Sequence, residues 1–407
     1  MRAGVWDGCF FEGSFGEISG PSGDSPAGRF AAGMCAAVDP EVLQGLEDHL
    51  VGGMHMAQEK TRYGWLDVMK LMGIYFVWAA HGVGMGRYGL LFLSIVLGVL
   101  FFASGFSAGA RAQMPLPAFI WEKFRRMMVP YFAFSILTLA VRVLLTEMTL
   151  GEIIGWVRRM LWASRNTVPV AALWFLPCLF LMSVYYQLLL RFAKHPAVRL
   201  ALCFAVSAAV KLIHEGPVLP WGIEQAGRFL IYYALGDMAA LWMRHVRQHG
   251  ISHIGKAALA LATAVNLYLF YTNFYYGSGY FPSLLGIETV SYPVQSLLTF
   301  LYECNGIWCV AALSMVLQAV PGLCRAGRAT LVFCCVESLA KTLFPLALEG
   351  IGLSFTEAGG PVALVQTVLL MTAAYYLIVL PVTRYFPWML GRFEKRDASR
   401  PETGAAL

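Results

Sequence analysis

Gly89–Ala110, GLLFLSIVLGVLFFASGFSAGA, contains no charged residue. As a helix rising ~1.5 Å per residue it is about 33 Å long, enough to cross a hydrocarbon core of about 30 Å. Pro361–Val382 is a second run of the same kind. Outside these two the same texture continues. Of the 407 residues 58% are apolar and only 13% charged, and mean hydropathy is +0.62. Soluble domains carry roughly a quarter charged residues. One water-soluble core cannot hide this much apolar surface. The expectation is therefore an all-α integral membrane protein, a single bundle of about ten transmembrane helices. The predicted spans are 66–86, 88–109, 128–146, 172–191, 198–214, 226–243, 256–275, 296–319, 328–348 and 361–383. Lys211, His214 and Glu215 crowd the end of the fifth, and Glu224, Arg228 and Asp237 interrupt the sixth.

Loop charges set an orientation. Arg111, Lys123, Arg125 and Arg126 fall between spans two and three, Arg191, Lys194 and Arg199 between four and five, and Arg244, Arg247 and Lys256 between six and seven. Arg325 and Arg328 separate eight from nine, and Arg384, Arg392, Lys395 and Arg396 follow ten. The loops 277–293 and 349–360 hold no Lys or Arg. Lys and Arg collect on the cytoplasmic side, so this alternation predicts both termini in the cytoplasm and a multi-pass place in the cell's inner membrane. The net charge of +6 then reports orientation, and no nucleic-acid partner is expected. One segment breaks the pattern. Arg158, Arg159 and Arg165 follow span three and fall on the outer side. EIIGWVRRMLWAS, from Glu152, reads as an amphipathic helix at the interface, either a functional lid or a misassigned element.

Residues 1–60 are rich in Gly, Ser and Pro, lack an apolar run, and are expected to form a disordered tail. No hydrophobic signal-peptide region is visible there, and Met54 and Met56 are candidate start sites. The membrane domain is expected over 61–390, with a cytoplasmic tail over 391–407. The nine cysteines are scattered, without a CxxC pair or zinc-finger spacing, so no metal is expected and they read as small buried residues.

Ionisable groups within spans are expensive and mark function by default. Span one, RYGWLDVMKLMGIYFVWAAHG from Arg62 to Gly82, has three. Lys70 and His81 are eleven residues apart, which at ~100° per residue leaves about 20° between them. Asp67 lies about 40° to the other side, so an acid, an amine and an imidazole form one stripe rising about 21 Å. Near the cytoplasmic end, Asp67 and Lys70 also fit a simple ion pair or a snorkelling lysine. His81 lies near the outer end, as a catalytic group or as a hydrogen-bonded packing residue.

These residues resemble the membrane-bound acyltransferase-3 family, whose first span carries an acid, a base three residues later and a histidine eleven after that: here Asp67, Lys70 and His81. Lys at the second position resembles the branch of fucose 4-O-acetylases. Further fragments follow in order: Phe101-Phe102-Ala103-Ser104-Gly105-Phe106, then KFRRMMVPYF from Lys123 to Phe132, Leu173–Pro177, and Tyr233-Ala-Leu-Gly236-Asp237. The resemblance covers roughly 62–390. It departs at GRATLVFCCVE, where Glu337 stands in place of a late histidine; a carboxylate there needs a partner, and Lys341 is one turn on.

The resemblance implies O-acyl transfer from a cytoplasmic acyl-CoA, typically acetyl-CoA, to a hydroxyl of a surface glycan or a lipid-linked sugar acceptor. His81 is then the general base, or alternatively an acyl-carrying relay. Lys70 would stabilise the thioester oxyanion or a CoA phosphate, with Asp67 orienting it. Lys123, Arg125 and Arg126 would hold the CoA phosphates, or else be positive-inside anchors. Trp174, Arg228, Glu303 and Glu337 are candidates for acceptor binding, beside Glu224, Asp237, Asn305 and the aromatics Trp221, Tyr232 and Tyr233, which equally suit the membrane interface. The competing readings are a transporter or flippase, and a relative that has lost catalysis. No two-fold repeat is visible, but Pro217, Pro220 and Pro345 interrupt helices as transporters do.

Overall fold

The computed structural model describes residues 62–82, 86–109, 113–165, 170, 172–213, 218–276, 291–352 and 359–393. The residues before Arg62, with Met54 and Met56, and those after Phe393 lie outside this set. The chain divides into residues 1–62 and a helical unit over 63–407.

Among the described residues the protein is helical and has no strand. Its helices are α1 Gly64–Ala80, α2 Gly86–Gly105, α3 Leu116–Leu145, α4 Leu150–Trp162, α5 Phe175–Phe192, α6 Pro196–Ile213, α7 Ile223–Arg228 and α8 Leu230–His249. They continue as α9 His253–Tyr276, α10 Tyr292–Leu317, α11 Pro321–Gly327, α12 Thr330–Gly350, α13 Gly360–Ala374 and α14 Leu380–Tyr385. Each predicted span falls on one of these helices. Seven, α3, α5, α6, α9, α10, α12 and the joined α13–α14, are long and apolar enough to cross a membrane. Their outward side chains remain uncovered by protein. Leu144, Ile213 and Ile254 are more than 80% exposed, which lipid satisfies and water does not.

Two of the other spans depart for a physical reason: the 17 residues of α1 fall short of the hydrocarbon thickness, and α8 carries Asp237, Arg244 and Arg247. The third, α2, runs over Gly86–Gly105 and is apolar over its described stretch Leu91–Gly105. α1 packs against α2, α10, α11, α12 and α13, so it is clad in protein rather than lipid. That position is what lets a helix with Asp67, Lys70 and His81 exist in the bundle. Pro residues at the first turns of α3, α10, α11 and α13 start those helices where a missing N–H costs least.

Close backbone contact joins α2 to α8. A Cβ on Gly105 would overlap the Tyr233 carbonyl, and one on Gly236 would overlap the Phe102 carbonyl. Small residues permit this approach, as is usual between membrane helices. Nearby, the Phe101 ring sits 5.0 Å from Phe175 and 5.4 Å from Phe229. The fragments FFASGF, LWFLP and YYALGD are therefore packing points of one core.

The segment that broke the charge pattern is α4. Thr149 and Glu152 close a capping box at its start, and Ala163 ends it in the left-handed region at φ 53°. Trp156 and Met160 are buried, while Leu150, Ile154, Arg158, Leu161 and Trp162 are exposed, as an amphipathic helix lying along the bundle requires.

Candidate active site

His81 is the C-cap of α1, with φ −89° and ψ 2°, and its N–H reaches the Val77 carbonyl. The imidazole Nδ1 lies 2.9 Å from Oε1 of Glu337 on α12. An ionised carboxylate only accepts, so Nδ1 is the donor in this contact, and in the neutral imidazole that leaves the lone pair on Nε2. Lys341, one turn beyond Glu337, donates its Nζ to the same oxygen at 2.8 Å and to the Trp78 carbonyl at 2.8 Å. Trp78 in turn donates its indole N–H to the Phe333 carbonyl, fastening α1 to α12 on both sides of the pair. Side-chain exposures of 33% for His81, 23% for Lys341 and 3% for Glu337 mean that the imidazole can be reached while the carboxylate cannot. Glu337 Oε2 is buried and has no partner, leaving one acceptor position for a water or a ligand.

The structure thus brings His81 and Glu337 together with Lys341. The pairing of Glu337 with Lys341 agrees with their one-turn spacing; the bond from His81 crosses two helices far apart in sequence, so no local pattern announces it. Lys70 and Asp67 remain at the other end of α1, about 16 Å and about 21 Å away by helix rise. Asp67 is buried, with its backbone against Gly327 of α11. Both residues have partners of their own.

The basic cluster occupies the first half of α3. Lys123 lies 5.5 Å over the Phe119 ring and lines a small cavity with Ser107, Ser183, Gln187 and Tyr233. Arg126 pairs with Glu122 at 2.8 Å, and the Arg125 guanidinium lies over Phe393. This end of the molecule collects cations: Arg247 stacks on Tyr63 beside the start of α1, and Arg191 donates to the Met114 carbonyl.

The remaining sequence candidates divide in two. Glu303 on α10 is buried, accepts from the Tyr232 hydroxyl, and lies 3.8 Å from Lys211, within electrostatic reach of Arg228. Trp174, at the start of α5, carries the Arg165 guanidinium on its ring at 5.5 Å. The Cys334 thiol, three residues before Glu337 on α12, points to the Ala172 carbonyl, two residues before Trp174, at 3.7 Å. Asp237 is different. It is 1% exposed and bound by Tyr186 at 2.7 Å and Arg199 at 3.3 Å, which ties α5, α6 and α8 together. Asn305 donates to Asn266 of α9 through its carbonyl and side-chain oxygens, both at 2.8 Å, and so joins helices as Asp237 does.

A multi-pass helical membrane protein with a carboxylate-oriented, reachable histidine on its first helix is equipped for acid–base work on a bound substrate. Residues 63–340 match the family model described as an acyltransferase domain, and the chain belongs to the acyltransferase-3 family. It is an acyltransferase of the membrane. No curated protein and no solved structure matches it.

Proposed function

We propose that the protein moves an acyl group, acetyl in the first instance, from cytoplasmic acyl-CoA to a hydroxyl of a surface or lipid-linked glycan. The observation that carries this reading is the His81–Glu337 pair. With Nδ1–H held by Glu337, Nε2 removes the hydroxyl proton as the oxygen attacks the thioester carbonyl; the C–O bond forms, the C–S bond breaks, and the proton passes to the departing thiolate. Glu337 stabilises the imidazolium formed on the way, and Lys341 donates to the same carboxylate oxygen and holds it in place.

The gathering of Lys123, Arg125, Arg191 and Arg247 at the end opposite His81 supports a cytoplasmic location for that end, hence cytoplasmic termini and about ten crossings of the inner membrane. Lys123, Arg125 and Arg126 are suited to the donor's phosphates, and Lys70 with Asp67 to its path. The donor's flexible arm must then carry the thioester about 20 Å along α1 to reach His81. Residue recognition of the acceptor falls to the wall bearing Trp174, Arg228 and Glu303.

Transfer of labelled acetyl from acetyl-CoA in membranes, with the parent beside His81→Ala, tests the reading. Loss of about 10²–10⁴-fold is expected. Undiminished transfer by the variant overturns the role of His81. Glycan crossing the bilayer with no thioester turnover makes the protein a transporter instead.

A further inference from the structure

Arg165 is one of the three cations, with Arg158 and Arg159, that break the loop pattern, on the side where Lys and Arg are scarce. It does not lie out in water. Its guanidinium covers the face of Trp174 at 5.5 Å and is half-buried. It lies within electrostatic reach of Arg228, at the end of α7. Burial first, and then the like charge of Arg228, hold Arg165 below the ordinary guanidinium value. Neither arginine makes a hydrogen bond or an ion pair with a described residue. Geometry brings their segments together: the Trp221 indole just before α7 donates to the Leu161 carbonyl, and Gly222 lies against Cys178, one turn beyond the Trp174 that carries Arg165. Two like charges in one partly desolvated region favour an anion beside them.

A second observation points to a ligand at the same place. Glu224, four residues before Arg228 on α7, is 6% exposed, and neither of its carboxyl oxygens has a hydrogen-bond partner among the described residues. Its i,i+4 spacing to Arg228 would permit an ion pair, and none forms between them; Arg228 is within electrostatic reach of Arg165 and Glu303. Glu224 and Arg165 flank the same buried side chain, Cys178. Buried carboxyl oxygens are nearly always hydrogen-bonded in a finished site. Trp221, three residues before Glu224, is held in the left-handed region at φ 59° by its indole N–H, which donates to the Leu161 carbonyl at 3.0 Å. Backbone strain of this kind gathers at ligand sites.

We propose that Arg165 and Arg228 clasp the anionic group, carboxylate or phosphate, of a sugar acceptor, and that Glu224 accepts hydrogen bonds from the sugar's hydroxyls. Trp174 fixes Arg165 in place. The Cys334–Ala172 contact ties the segment just before Trp174 to the turn of α12 that precedes Glu337, and on this proposal a sugar anchored by its acid offers a hydroxyl to His81. The inference rests on the acyl-transfer reading and narrows its acceptor to an acidic sugar or a sugar phosphate.

Binding to the purified full chain in lipid nanodiscs, with no acyl donor present, tests it. The probes are a hexuronate oligosaccharide, a hexose 1-phosphate and the neutral hexose oligosaccharide. One of the two acidic probes is expected to bind at least about tenfold more tightly than the neutral one, and its identity tells carboxylate from phosphate. That preference should shrink when salt rises from about 50 to about 500 mM, a comparison that needs no variant. It should fall to near parity in Arg165→Gln and in Arg228→Gln, while Glu224→Leu should weaken all three probes. Equal binding of the three by the parent, or a preference that survives both arginine changes, overturns the proposal. Acetyl transfer is scored separately: an acidic preference without transfer refutes the acyl-transfer reading and leaves the anion clasp standing.

Discussion

At its C-cap position His81 has left the regular hydrogen-bond ladder of α1 but is still aimed by it, and one side of the ring is fixed by Glu337 at 2.9 Å. The division of labour between the two ends of α1 follows from distance. Glu337 touches the imidazole, whereas Lys70 is about 16 Å from it by helix rise. Glu337→Gln keeps the size of the side chain and removes its charge. It is expected to lower kcat by at least about tenfold with little change in the apparent affinity for acyl-CoA. Lys70→Ala is expected to do the reverse, raising KM for acyl-CoA with kcat within about threefold. Steady-state kinetics with varied acetyl-CoA separate the two, and a kcat effect in both variants would show that Lys70 acts at the reacting atoms. The stripe Asp67–Lys70–His81 was legible in the sequence because one helix and its period suffice to draw it. Glu337 was legible only as an oddity, a costly carboxylate in an apolar run, because its partner comes from a helix 256 residues away. Arg165 was visible in the same way, as a charge on the wrong side.

Between elements, the bundle depends on two kinds of contact. The first is backbone on backbone. α2 and α8 meet where Gly105 and Gly236 leave no room for a Cβ. Gly236→Ala or Gly105→Ala forces the helices apart at the layer of Phe101, Phe175 and Phe229, and is expected to cost about 1–3 kcal/mol or more. A thermal unfolding scan in detergent would register it as a lowered midpoint. The second kind is a buried polar tie. Arg199 on α6 also donates to the carbonyls of Ala193 and Lys194, so its guanidinium ends α5 as well as pairing with Asp237. Arg199→Ala leaves Asp237 charged and buried, for a loss of about 3–5 kcal/mol, whereas Arg199→Met with Asp237→Leu should recover most of that loss. The same unfolding measurement decides it, and a double variant no more stable than Arg199→Ala would show that the arginine matters through its backbone bonds alone. Transfer per folded molecule should hold in both, since neither side chain adjoins His81.

Across the whole molecule, the cations near the start of α1, the C-terminal end of α8 and the loop before α3 occupy one end, and His81, Glu337 and the Trp174 wall lie away from it. The proposed topology makes a direct prediction around α9, which among the described residues lies between exposed Gln248 and exposed Ser291. With a membrane-impermeant thiol reagent, Ser291→Cys should be labelled in intact cells and Gln248→Cys only after permeabilisation. Labelling of both from one side would remove α9 from the set of crossing helices, and reversed labelling would invert the protein. The sequence by itself determined the class of fold, since 58% apolar residues in runs of span length have no soluble solution, and it determined the family through fragments that keep their order. It also located the polar stripe on the first helix, because periodicity is a local property. The tertiary structure alone decided which polar groups meet. It clad a short, charged α1 in five other helices, delivered Glu337 to His81, and left Glu224 buried without an ion pair to its neighbour Arg228 among the described residues. The reason is that a buried charge is settled by its nearest partners in space, and in a bundle those partners stand on helices whose separation along the chain bears no relation to their distance.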